Sequence, residues 1–85
     1  MSHEAAEVLS VIAQLASEES GVAAEEITAN TNFETDLDID SIGMLTIATQ
    51  VEEQFGLVIE DDVIPTLSTV GEVADLVAKS EAADN

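Results

Sequence analysis

The stretch from Glu34 to Phe55, ETDLDIDSIGMLTIATQVEEQF, decides the fold. At about 100° per residue, Met44, Ile47, Ala48, Val51 and Phe55 fall on one wholly apolar face. This predicts a helix from Asp40 or Ser41 to Phe55 with that face on the core, ended by Gly56. The opposite face carries Ile42, Leu45, Thr46, Thr49, Glu52 and Glu53. A purely structural helix has no need of Ile42 and Leu45 there. Two outward apolar residues with carboxylates around them suggest an interaction patch with a charged rim, unless the preceding loop folds over one of them.

Upstream of that helix, residues 20–40 lose all periodicity. Asn30, Thr31, Asn32 and Thr35 are loop formers, and Ile27, Phe33, Leu37 and Ile39 interrupt them at intervals. A loop of this length inside a small domain is often functional, and the spaced apolar residues predict that it is pinned to the core. Before it, a first helix is expected from His3 to Glu19, capped by Ser2 and followed by Gly21, with Val8, Ile12 and Leu15 as its buried stripe. After the central helix, a short third helix is expected around Asp61–Ile64, limited by Pro65. A last helix follows from about Val70 to Ala82, where Thr69 and Glu72 have the spacing of a capping box and Gly71 is an unfavourable first-turn residue. The fold class is therefore all-α: a small four-helix bundle of three longer helices and one short one, with a long loop between the first two, forming a single domain over residues 1–85.

Composition narrows the function. Nineteen acidic residues stand against Lys79 alone, giving a net charge of -18, yet 46% of the chain is hydrophobic. Acidity at that apolar content describes a folded domain rather than an acidic tail, although a chain this short buries only roughly 60–65% of its unfolded surface. Such a surface repels nucleic acid and anionic lipid and steers basic protein surfaces toward it. There is no cysteine, hence no disulfide framework and no thiolate chemistry. The N-terminal MSHEAAEVLS has no basic region and is interrupted by Glu4 and Glu7, unlike an ordinary signal peptide, and no apolar run is long enough for a membrane span. A monomer in the cytoplasm is the default expectation.

Three chemistries meet at Asp36-Leu37-Asp38-Ile39-Asp40-Ser41. The alternate aspartates match the first ligands of a calcium loop, but such a loop wants glycine at its sixth position and glutamate at its twelfth, where this chain has Ser41 and Ile47. No metal site is therefore assigned. A serine hydrolase fares no better: the one histidine is His3, and no glycine-flanked elbow surrounds Ser41. No catalytic residue is assigned, and the chain is read as a substrate for enzymes. What remains is a serine at a helix N-terminus, where unpaired N–H groups favour a phosphodiester; by itself, a serine there is most often only a cap.

Asp40-Ser41-Ile42 resembles the Asp-Ser-Leu signature of acyl carrier proteins. Phe33, Asp36-Leu37, Glu52-Glu53, Phe55-Gly56 and Thr69-Val70 match the family's surroundings, and DLDIDS followed by Met44, Ile47 and Ala48 is most similar to type II fatty-acid carriers of actinobacteria. Gly43 and Thr46 depart from it, standing where many members carry acids, and Pro65 is unusual. The resemblance implies that a phosphopantetheinyl transferase moves 4′-phosphopantetheine from coenzyme A onto Ser41. It implies partners with basic docking patches, among them acyltransferase, ketoacyl synthase, reductase and dehydratase, meeting Asp36, Asp38, Asp40, Ile42, Leu45, Glu52 and Glu53. It also implies an acyl pocket against Met44, Ile47, Val51 and Phe55. A standalone polyketide or aminoacyl carrier using the same serine stays open as an alternative, as does an acidic adaptor without an arm.

Overall fold

The computed structural model describes residues 5–83. In chain order it comprises α1 (Ala5–Ser20), a 3-10 turn at Ala24–Glu26, α2 (Ser41–Phe55), a second 3-10 turn at Ile64–Thr66, and α3 (Val70–Ala83). The expected Ser2 cap and the first residues of the first helix lie outside the described residues. α1 buries Val8, Ile12 and Leu15 as the spacing requires, with Ala13 and Ala16 filling the same stripe, and it packs against both α3 and α2. Gly21 takes φ 84, which an L side chain rarely adopts, and its N–H closes α1 on the Ser17 carbonyl at 2.8 Å.

The connection from α1 to α2 is ordered by its own polar residues. Asn32 Oδ1 accepts the N–H groups of Glu34 and Thr35, while the Asp36 carboxylate accepts the Asn32 N–H at 2.8 Å. This closes a helix-like turn over residues 33–37, and Asp38 leaves it with φ 56. The turn puts Phe33, Leu37 and Ile39 into the core, and Ile27 joins them from the first 3-10 turn. The loop is thus part of the core, not a cover over it.

One expectation shifts. The short third helix over Asp61–Ile64 is not α-helical: residues 61–63 form a turn, and a single 3-10 turn follows at Ile64–Thr66. Pro65 sits inside that turn rather than ending it. Its missing N–H is tolerated in a first turn, where the donor would be unpaired anyway, and its fixed φ suits the geometry. Among the described residues the bundle accordingly consists of three α-helices, with this turn in place of the fourth.

α3 begins on the expected capping box. Glu72 Oε1 accepts the N–H groups of Ser68 and Thr69, and Thr69 Oγ1 accepts the Glu72 N–H at 3.3 Å. Gly71 has a tertiary reason invisible along the chain. A Cβ there would stand 2.9 Å from the Ala29 carbonyl oxygen, which the Gly71 N–H itself approaches to 2.8 Å. With Val70 N–H on the Thr31 carbonyl and Phe33 N–H on the Ser68 carbonyl, it laces the first connection to the start of α3.

Candidate functional site

α2 starts on an Asp40 cap. The residue is extended at φ -87, its Oδ1 accepts the Gly43 N–H at 2.9 Å, and its carbonyl accepts the Met44 N–H at 2.9 Å. Ser41 is the first helical residue and is exposed. The Ser41 and Ile42 N–H groups make no hydrogen bond within the described chain and point, as first-turn donors do, out of the helix end. Gly43 is buried, and a Cβ there would stand 2.7 Å from Ile39 Cγ2, so any larger residue at this position requires the Ile39 side chain to shift.

Below this end the helix is two-faced. Gly43, Met44, Ile47, Ala48 and Val51 are buried, whereas Ile42 and Leu45 are 74% and 52% exposed. The preceding loop therefore covers neither of the outward apolar residues. Thr46 and Thr49 occupy the same side and satisfy their hydroxyls on the Ile42 and Leu45 carbonyls. Asp36, Asp38, Asp40 and Glu53 are exposed around it. Glu52 differs: it is half-buried, and its Oε2 accepts the Ile59 N–H at 2.7 Å.

Ser41 lies on the lip of an open groove of about 690 Å³. Its apolar lining comes from Phe33 and Ile39 of the first connection, Ile42, Met44 and Leu45 of α2, and Ile64, Pro65 and Leu67 of the second connection; Glu34, Asp40 and Asp61 also border it. Of the four residues expected to meet an acyl chain, Met44 lines this groove. Ile47 and Val51 are wholly buried in the core, and Phe55 is half-buried near the far end of α2. The residues that sequence reasoning did not assign to the groove, notably Ile39, Ile64 and Leu67, carry no local signal of it. They are ordinary core-type residues brought to one rim by tertiary contact.

These residues fit a phosphodiester-linked arm. The Ser41 hydroxyl is open to an enzyme, two unpaired N–H groups and the positive helix end compensate a phosphate's charge, and the adjacent groove can shelter an apolar chain. Among the described residues no helix is long and apolar enough to cross a membrane.

Comparison with known proteins leads to the same place. Residues 10–77 match the family described as the phosphopantetheine attachment site. The chain is 41% identical over 76 residues to the acyl carrier protein of Arthrobacter sp. (strain FB24), covering 89% of this chain and 94% of that one. It is 39% identical over 82 residues to the acyl carrier protein of Tropheryma whipplei (strain Twist), covering 96% and 100%. A solved structure of the acyl carrier protein from Enterococcus faecalis superposes with a TM-score of 0.78 at 28% identity, over 92% of this chain and 99% of that one. A three-helix bundle with an exposed serine at the start of α2, matched nearly end to end by these relatives, means that the chain belongs to the acyl carrier protein family and bears 4′-phosphopantetheine as its covalent prosthetic group.

Proposed function

We propose that Ser41 is the attachment residue and that the protein carries acyl intermediates of fatty-acid synthesis, acting as a substrate of enzymes and not as a catalyst. The observation that carries this reading is the exposed Ser41 hydroxyl on the capped end of α2, at the lip of an apolar groove. When bound, the arm supplies a terminal thiol that holds an acyl group, a chemistry that a chain without cysteine cannot supply itself. Asp40 fixes the helix end and with it the position of the Ser41 Oγ. The first-turn N–H groups offset the phosphodiester charge, and Met44 with its groove neighbours excludes water from a short apolar chain. At the mouth of the groove, the exposed Ile42 and Leu45 offer an apolar anchor, and Asp36, Asp38, Asp40 and Glu53 give it a negative rim for basic patches on the transferase, synthase, reductase and dehydratase partners. The likeness to actinobacterial acyl carrier proteins supports the fatty-acid pathway, and a monomer in the cytoplasm goes with it.

Incubation with coenzyme A, Mg²⁺ and a phosphopantetheinyl transferase should add one arm by intact mass. Ser41→Ala should abolish the addition with helicity unchanged. Modification of the Ala variant, or wild type left unmodified by several transferases, would overturn the assignment.

A further inference from the structure

Glu52 stands at the end of α2 with two different tasks. Its carbonyl accepts the Gly56 N–H at 2.9 Å and the Leu57 N–H at 3.2 Å, ending the helix in the ordinary way. Its side chain does something a helix end does not require. Oε2 reaches seven residues on to the Ile59 N–H at 2.7 Å, within a half-buried site. Ile59 is in the core, so its N–H has no ready access to water and needs a protein acceptor. The segment beyond has mostly local ties: Val63 N–H bonds to Glu60, Thr66 N–H to Val63 and Leu67 N–H to Ile64. That same segment supplies Asp61, Ile64, Pro65 and Leu67 to the groove beside Ser41.

We propose that Glu52 is a positioning residue, a side-chain latch that fastens the segment from Ile59 to Leu67 to α2 and so holds one wall of the groove in place. The neighbouring Glu53 is exposed and makes no comparable bond among the described residues, so adjacent carboxylates on one helix are divided between internal support and an outward charge. A basic partner residue that took hold of the Glu52 carboxylate would compete with the Ile59 N–H for it. Docking at the end of α2 and loosening of the groove wall are thereby linked through one group. The latch itself is a property of the folded chain; its bearing on a stowed acyl group rests on the function proposed above.

The test compares Glu52→Ala, Glu52→Gln and Glu53→Ala. Glutamine keeps an oxygen acceptor without the charge, whereas alanine removes both. Amide hydrogen exchange on the unmodified proteins should show the Ile59 N–H about tenfold or more faster in Glu52→Ala, relative to the Val51 N–H as a monitor of global opening. In Glu52→Gln it should stay within a few-fold of wild type, and Glu53→Ala should match wild type. On the octanoyl-loaded proteins, the octanoyl-dependent shift of the Ile64 methyls should vanish in Glu52→Ala and return in Glu52→Gln. Unchanged Ile59 exchange in Glu52→Ala, or equal loss in Glu52→Ala and Glu52→Gln, would overturn the latch. Failure of the proposed carrier function would appear separately, as failure to load the arm, with the exchange result still readable.

Discussion

The two connections that flank α2 are built on opposite principles. The first, between Ser20 and Ser41, looks like a loop by composition yet contributes Ile27, Phe33, Leu37 and Ile39 to the core. Backbone bonds from residues 29, 31 and 33 then lace it to α3 and the residue before Thr69. The second, between Phe55 and Val70, buries only Ile59 and Ile64, leaves Val58 80% exposed, and beyond the helix-ending bonds of Gly56 and Leu57 is hydrogen-bonded to α2, among the described residues, through one carboxylate. The difference teaches where rigidity is needed. The first connection sets the start of α2, and therefore Ser41. The second forms a groove wall, and a wall held by fewer apolar anchors opens at lower free energy than the frame beside it.

The largest expected effect is in the first connection. Phe33→Ala should destabilise the protein by about 3–5 kcal/mol, since it removes the largest of the fully buried side chains. Ile64→Ala in the second should cost only about 2 kcal/mol, because its side chain is smaller and less deeply buried than that of Phe33. Denaturant melts of the two variants check the ranking, and equal losses would break the distinction between frame and wall.

A smaller effect probes the lacing. Gly71→Ala places a methyl against the Ala29 backbone, where neither neighbour is a flexible side-chain end. Overpacking of this kind costs about 1–3 kcal/mol, against a helix-propensity gain of about 1 kcal/mol for alanine over glycine. A net loss of about 1 kcal/mol is expected. A gain in stability would mean that the first connection yields easily at Ala29, contrary to its role as frame.

The smallest effect concerns the junction where the two connections meet α3. The Ser68 N–H foremost, and the Thr69 N–H after it, hold the Glu72 carboxyl below its ordinary value of 4.5. A carboxyl depressed in the folded state stabilises above its unfolded value, and that contribution is lost as pH falls through the folded one. Stability should therefore carry an acid-side component that Glu72→Gln removes. Paired melts at constant ionic strength between neutral pH and the acid carboxylate range measure it. Curves that stay parallel to the lowest pH would show that the cap does not depend on the charge.

Much of this was legible in the chain itself. The apolar stripe of α2, its start at Asp40 or Ser41 and its Gly56 stop, the Thr69–Glu72 capping box and the pinning of Phe33 and Ile39 to the core are all readable from local pattern, although the cap itself is Asp40 and not Ser41. Their periodicity and hydrogen bonds act over one or two helical turns, so they can be read without the fold. Ile42 and Leu45 were readable as outward for the same reason.

What only the tertiary structure decided are relations between residues far apart along the chain. Gly43 and Gly71 look like weak helix positions until Ile39 and Ala29 are seen pressed against them. Pro65 reads as a helix stop, yet it is accommodated in a 3-10 turn because the groove wall needs only one tight turn there. Glu52 and Glu53 are equivalent in sequence, and only the return of Ile59 to α2 separates them. Local patterns set which face of each helix is apolar, because that follows from backbone geometry alone. Which backbones approach closely, and which carboxylate is drawn inward, follow from how those faces pack in three dimensions, and one-dimensional spacing carries no record of that packing.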